Sequence, residues 1–369
     1  MIRTDLGLSY TKAGWMMSAF SITYGISQLP AGWLADRVGP RWMVLLGVTG
    51  VALTGFFIGF SSSFVTLVIF LAVSAIIGGG YHPASTAAIS LSVPSEYRGR
   101  ALGIHTIGGG SSFWMVPLLA APIAVAWGWR NSFLTLTIPI IILGIVLFIL
   151  IGKHGQTYSG DSHEAGGEAA TTEVEKKTMT APAHIRWRQI VPFVIISVVT
   201  GTMIESISAY LSLYAVDSLG ISEATAARLM AVSPGAGLLV APFGGYLSDR
   251  FGSVPVLMTV SFLAVILIYL LSVAPGAIAL AAIMIVIGFV TFMRMPTSES
   301  YIAGNTPPHR RATILGLYFF AGMEAPGLLV PVIGILSDRV GFNSTFTITA
   351  VATGAILVVT SLFIWRNRT

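Results

Sequence analysis

Apolar positions along this chain run together in stretches of about 20 residues, the length of helix that spans a roughly 30 Å hydrocarbon core at 1.5 Å per residue. Eleven such stretches can be traced, at approximately 13–34, 42–61, 64–91, 101–126, 132–152, 189–216, 224–247, 254–273, 277–303, 312–336 and 344–365. Alternation with a period of two is absent from them, which predicts a helical bundle over an outer-membrane barrel. One polar segment breaks the rhythm. Residues 153–188 carry Asp161, Glu164, Glu168, Glu173, Glu175, Lys176 and Lys177 among Gly, Ala and Thr, and read as a solvated linker. The expected organisation is an N-terminal transmembrane bundle over 1–152, the linker, and a C-terminal bundle over 189–369.

Composition removes the soluble alternative. Only 9% of the 369 residues are charged and 54% are hydrophobic, where an ordinary soluble domain carries roughly 25% charge. What remains after a core is filled is too apolar for a wetted surface, so lipid is the expected solvent. The chain has no cysteine, which excludes disulfides, Cys-based zinc sites and thiol nucleophiles. Residues 1–12 are polar and show no signal peptide. The formal charge of +5 bears on orientation. If residue 1 lies outside, the cytoplasmic loops hold Arg37, Arg41, Arg98, Arg100, Lys153, Lys176, Lys177, Arg186, Arg188, Arg250, Arg310, Arg311, Arg366 and Arg368. The opposite side holds Arg3, Lys12, Arg130, Arg228 and Arg339. That asymmetry places the linker and the C-terminus in the cytoplasm of an inner-membrane protein.

The two halves repeat one another at a constant offset of 213. Gly32-Trp33-Leu34-Ala35-Asp36-Arg37-Val38-Gly39 falls on Gly245-Tyr246-Leu247-Ser248-Asp249-Arg250-Phe251-Gly252. Pro83 falls on Pro296, Arg98 on Arg311, Gly103 on Gly316, Gly109 on Gly322, Gly128 on Gly341 and Phe133 on Phe346. Two parallel repeats are the arrangement of transporters with two like halves. The span at 189–216 has no counterpart, because subtracting 213 runs off the front of the chain. The symmetry therefore predicts a preceding helix outside this sequence, and twelve helices, as six plus six, in the intact protein.

Gly32 to Arg41, in a short loop and echoed at Gly245 to Gly252, resembles the signature loop between helices 2 and 3 of the major facilitator superfamily. The resemblance covers essentially the whole chain. It implies that fold, an all-α membrane protein of two six-helix repeats, with the first visible span counted as helix 2. Gly80-Tyr81-His82-Pro83, Arg98-Gly99-Arg100-Ala101-Leu102-Gly103-Ile104 and Gly108-Gly109-Gly110 are in turn similar to the fosmidomycin-resistance-like efflux group. Drug antiporters of the superfamily carry a Gly-Pro step on helix 5, and here Val116 precedes Pro117, a departure from that pattern.

The signature loop has a physical logic of its own. Gly32 and Gly39 permit close helix approach and a tight turn, and Asp36 can accept hydrogen bonds from a neighbouring helix N-terminus. The resemblance implies that this cluster stabilises one state of the transport cycle. Asp36, Arg37, Arg98 and Arg100, with Asp249 and Arg250 in the second repeat, are thus the gating candidates, against a reading of topology and packing alone.

Charges at membrane depth cost at least about 2.5 kcal/mol on insertion scales and are functional candidates by default. Glu205, Arg294 and Glu324 each lie well inside a span. Arg294 is expected to pair with Glu205 or with Glu324. The carboxylates are candidates for proton loading, and the guanidinium for holding a carboxylate charged or binding an anionic substrate. A static ion pair that fixes packing is the other reading. Tyr81 and His82 beside Pro83, and Gln28, are candidate substrate or proton contacts; for His82 an interhelical hydrogen bond is the even alternative. His105 reads as a packing or gate residue, and Tyr24, Trp114 and Tyr318 as interfacial or core aromatics. Glu299, Glu96 and Asp217 read as solvated.

No phosphate-binding Gly-rich Lys-Ser/Thr stretch and no His-Glu-x-x-His pattern occur, so neither ATP-driven pumping, a metal nor another cofactor is expected. The basic residues are spread over short loops, which does not fit nucleic-acid binding. The sequence thus reads as a secondary transporter and not an enzyme. Its expected partners are a small-molecule substrate, protons and the bilayer, and it is expected to act as a monomer. Proton-coupled export of small amphipathic or anionic compounds is the first function considered. Proton-coupled uptake of an organic anion and a non-transporting membrane protein are the alternatives.

Overall fold

The computed structural model describes residues 2–8, 10–155 and 184–366. Most of the expected linker, with its acidic residues and Lys176 and Lys177, lies outside the described residues, as does Arg368. The side chains of Arg3, Lys12, Trp114, Lys153, Arg228 and Arg366 lie outside them too.

Every one of the eleven apolar stretches is helical. In chain order the helices are α1 (Ile2–Asp5), α2 (Tyr10–Val38), α3 (Pro40–Leu45), a π turn (Leu46–Gly50), α4 (Val51–Gly59), α5 (Phe64–Gly78), α6 (Tyr81–Ser92), α7 (Arg98–Trp127) and α8 (Trp129–Gly155). They continue as α9 (Trp187–Ser208), α10 (Leu211–Asp217), α11 (Glu223–Met230), α12 (Val232–Phe251), α13 (Ser253–Ser272), α14 (Ala277–Gly304) and α15 (Arg311–Arg366). Seven stretches among the described residues are long and apolar enough to cross a membrane, and Pro308–Phe363 contains two of the expected spans.

Three of the expected spans are broken into two helices. Pro83 cannot donate to the carbonyl four residues earlier, and the helix parts at Gly79 and Gly80, ending α5 and starting α6. Two further breaks, at Ala209–Tyr210 just after Glu205 and at Ala231, separate α9 from α10 and α11 from α12. At its N-terminus α5 is closed by a capping box, in which Ser63 and Thr66 satisfy each other's backbone amides.

The described chain forms two compact units, each assembled from discontinuous segments. One contains Met1–Pro94, Ser112–Ala181 and Thr306–Phe320; the other contains Ser95–Ser111, Pro182–Asn305 and Ala321–Thr369. The opening of α7 therefore belongs to the second unit and the opening of α15 to the first.

Turn glycines obey the 213-residue repeat. Gly39 has φ 95° and Gly252 φ 88°, each starting the next helix, while Gly128 (86°) and Gly341 (77°) form the second matched pair. With ψ of 140° at Gly39 and 148° at Gly252, both lie near a region open essentially to glycine alone. Neither is crowded: Gly39 has nothing within 4 Å of a built Cβ. Alanine at 39 or 252 should lower stability by about 1–3 kcal/mol through backbone strain. Thermal melting of the detergent-solubilised protein checks this; an unchanged midpoint for both would refute it.

Candidate functional site

In the first unit, α2 crosses the start of α15 with no side chain between them. A Cβ on Gly32 would sit 2.5 Å from the Ala312 carbonyl oxygen, and one on Gly316 would sit 2.5 Å from the Gln28 carbonyl oxygen. That approach brings Asp36 over the N-terminus of α15. The backbone amides of Ala312 and Thr313 donate to its two carboxylate oxygens at 2.9 and 2.7 Å, and the Thr313 hydroxyl donates as well. Two otherwise unpaired helix-start amides are thereby satisfied by an anion at the positive end of the helix.

The second unit contains the same construction in mirror roles. A Cβ on Gly99 would lie 2.5 Å from the Gly245 carbonyl oxygen, and one on Gly103 2.6 Å from that of Ala241. Asp249 accepts from the amides of Gly99 at 2.8 Å and Arg100 at 3.0 Å. Adding 213 to Gly99 and Arg100 gives Ala312 and Thr313, so the repeat holds at the level of individual hydrogen bonds. At the second position the two differ: Thr313 adds a hydroxyl donor, whereas Arg100 adds an ion pair at 3.7 Å to Asp249.

Burial pushes the Asp36 and Asp249 carboxyls above the usual carboxylate range, although the bonds they accept pull the other way. Burial also pulls the neighbouring Arg98 guanidinium down, against the Asp249 charge. The remaining gate candidates divide. A Cβ on Gly304, at the end of α14, would lie 3.1 Å from Arg98 Nη1. Its counterpart Arg311, read from the sequence as a repeat marker and a cytoplasmic loop charge and not as a gate residue, is 3% exposed and donates to the Ser90 carbonyl at the end of α6. Arg37 instead lies over its own helix's Trp33 ring at 3.8 Å, and Arg250 donates to the Tyr246 hydroxyl. Both are exposed and stay on the helix that carries them.

The neutral candidates of the first unit gather around His82. Its ring packs against Tyr24, Tyr81 and Phe319, the last at 5.6 Å between centroids. Tyr81 and His82 are half-buried, while Gln28 is 1% exposed and out of reach of solvent in this arrangement. The Tyr81 Cβ packs where Gly47 has no side chain, 2.8 Å from the position of a built Cβ.

The charged candidates lie in the second unit. On α9, Ser197, Gly201 and Glu205 are spaced by four and share one face. The Arg294 guanidinium of α14 lies in the notch at Gly201: a Cβ there would be 2.5 Å from Nη2 and 2.6 Å from Cζ. From that seat Nη1 donates to the Ser197 carbonyl at 3.0 Å and to its hydroxyl at 3.1 Å. The Ser197 hydroxyl in turn bonds that of Ser298 at 2.7 Å. Arg294 is buried, Glu205 is exposed, and the guanidinium charge acts on the Glu205 carboxylate. Glu324 is half-buried on α15.

Glu299 requires a correction. Read as solvated because it sits near a helix end, it is 3% exposed, five residues beyond Arg294 on α14. Glu96 and Asp217 are exposed as expected. The signal for Glu299 was available: Thr297, Ser298 and Ser300 around it form a polar stretch within an otherwise apolar span, and all are buried with it. Ser197 and Gly201 were missed because neither residue type carries a charge.

The model of the family described as Major Facilitator Superfamily matches residues 1–331, with a second match over 194–369. The chain is similar to the multidrug resistance protein MdtG of Proteus mirabilis (strain HI4320), with 27% identity over 358 residues, covering 95% of this chain and 85% of the relative. Among solved structures, the proton:xylose symporter XylE aligns with a TM-score of 0.73 at 17% identity, over 99% of this chain and 89% of that one. The fucose:proton symporter FucP of E. coli aligns with a TM-score of 0.71 at 17% identity, over 96% and 91%. These two likenesses concern the fold.

Proposed function

The chain belongs to the major facilitator superfamily, and on that premise we propose that it exports small amphipathic or anionic compounds in exchange for protons by alternating access. Membership makes it an integral membrane secondary transporter of a small molecule, and not an enzyme. The direction of transport is supported by its relatedness to MdtG, whose name is multidrug resistance protein. The likeness of Gly80–Pro83 and 98–110 to the fosmidomycin-resistance-like efflux group belongs to the same reading.

One observation carries the coupling: a buried guanidinium fixed by Ser197 is seated in the notch at Gly201, one turn before Glu205 on the same face of α9. A cation that cannot lose its charge, one helical turn from a carboxylate, makes protonation of Glu205 a change in local net charge. In this reading Glu205 takes up the proton, Arg294 holds the deprotonated carboxylate, and proton and substrate compete for that carboxylate; an anion seated on Arg294 in its place would instead bind together with the proton, as in the uptake alternative. Glu324 is then not the carrier. His82 with Tyr81 contributes substrate contacts from the first repeat, and Gln28, buried behind them, supports the packing of α2. Asp36 and Asp249 with Arg98, Arg100 and Arg311 form the gate. Arg37 and Arg250 hold orientation at the membrane surface. The inner-membrane site, the cytoplasmic linker and C-terminus, and a monomeric state complete the proposal.

Proteoliposomes with an imposed proton gradient test it, with a fluoroquinolone as amphipathic probe, benzoate as anionic probe and an internal pH dye. Glu205→Gln should abolish gradient-driven accumulation while leaving probe exchange within about threefold of the parent. Arg294→Ala should lower both by tenfold or more, and Glu324→Gln should change neither. Equal accumulation by the parent and Glu205→Gln would overturn the coupling assignment. Co-directional movement of proton and benzoate would replace export by uptake.

A further inference from the structure

The coupling pair has a feature that charge alone does not reveal: its geometry depends on a missing side chain. Any Cβ at position 201 would fall within 2.5–3.0 Å of three guanidinium atoms of Arg294. The arginine is 6% exposed and held by two donations to Ser197, so it cannot swing freely into solvent to make room. We infer that Gly201 is a positioning residue for proton coupling, whose empty side-chain place sets how closely the Arg294 charge approaches Glu205. This rests on the reading of Glu205 as the proton carrier.

The neighbouring charges are few. Of the elements packed on α9, α13 carries no Asp, Glu, Lys or Arg, α14 carries Arg294 and Glu299, and α10 carries Asp217. Tyrosines 210, 214, 269 and 301 are further titratable groups on or beside these helices, Arg186 and Arg188 stand at the N-terminal start of α9, far along it from Glu205, and Glu324 lies on α15. Arg294 is the cation seated one turn from Glu205. Moving it from α9 by about the 1 Å that an ordinary contact needs weakens its pull, and a carboxylate that loses a neighbouring cation keeps its proton to higher pH.

Infrared difference spectroscopy on the full chain in nanodiscs reads this without a substrate, through the carbonyl band of protonated carboxylic acids titrated against pH. Glu205→Gln should remove one titrating band, which identifies Glu205. Gly201→Ala should move that band's midpoint up by at least about half a pH unit, roughly threefold in proton affinity, and Arg294→Ala should move it further. In the Arg294→Ala background the alanine at 201 has no guanidinium to displace, so the double variant should fold and titrate like Arg294→Ala alone. That non-additivity is what a purely structural glycine would not produce. If Glu205→Gln removes no band, the carrier assignment fails and this inference with it. If the band is present and moves in Arg294→Ala but not in Gly201→Ala, only the role of Gly201 fails. Should Gly201→Ala misfold, the double variant decides: a midpoint differing from that of Arg294→Ala overturns the inference, and recovery of folding at the same midpoint supports it.

Discussion

Asp36→Ala should raise the labelling rate of a cysteine placed at Ala312 by tenfold or more relative to the same cysteine in the parent. Ala312 is fully buried at the helix start whose amides Asp36 accepts, and the chain has no native cysteine to confuse the readout. Hydrogen bonds to a charged partner contribute about 1.5–3 kcal/mol each, so losing all three that Asp36 accepts would predict a far larger change. The burial penalty reduces it. Both carboxyls are pushed above their ordinary range, which means that water would hold the charged form better than this site does. Opening the crossing to solvent returns part of the loss, and about 2 kcal/mol, roughly 30-fold, is the expected net. Asp249→Ala should act in the same direction with a smaller effect on its own crossing, because Arg100 and Arg98 remain there to engage the freed surface. Labelling within twofold of the parent in Asp36→Ala would show that the cap does not bias the equilibrium.

The repeat explains why so much of this was legible in advance. An offset of 213 found from Gly32, Asp36, Gly103 and Gly128 predicts pairs, and the structure returns those pairs as crossings, caps and positive-φ turns. The signal is strong there because each device needs a particular residue type: an absent Cβ, an acceptor at a helix start, or a left-handed backbone. Where a role depends on position and not on type, the sequence was quiet. Arg37 and Arg98 look alike among the basic residues, yet one stacks on Trp33 at the surface and the other is half-buried beside Gly304. Glu299 resembles Glu96 in being near a helix end, but buried hydroxyl-bearing neighbours surround only the former. The seat of Arg294 was least legible, since Ser197 and Gly201 are common in membrane helices as ordinary packing residues.

Gly245→Ala should be among the most damaging single substitutions in the chain despite adding one methyl group. The built Cβ would lie 2.8 Å from the Arg100 amide nitrogen and closer still to the Gly99 carbonyl. Both are backbone, so no rotamer change can clear the space; the helices must separate. Separation removes the Asp249 cap on the same amides, which couples a packing fault to the loss of two charge-assisted hydrogen bonds. Overpacking costs about 1–3 kcal/mol where side chains can yield, and with the cap lost the sum should reach the top of that range or beyond. A fall of roughly 5–10 °C in melting midpoint is expected, together with a labelling increase at a cysteine placed on Ala241, which flanks the crossing. Gly108→Ala is the matched comparison. It lies on the same helix as Gly103 with nothing within 4 Å of its built Cβ, so the helix preference of alanine should leave it as stable as the parent or up to about 1 kcal/mol more so. Melting of Gly245→Ala at the parental midpoint would show that the crossing can widen at no cost, and would leave the paired caps as the main tie at that point.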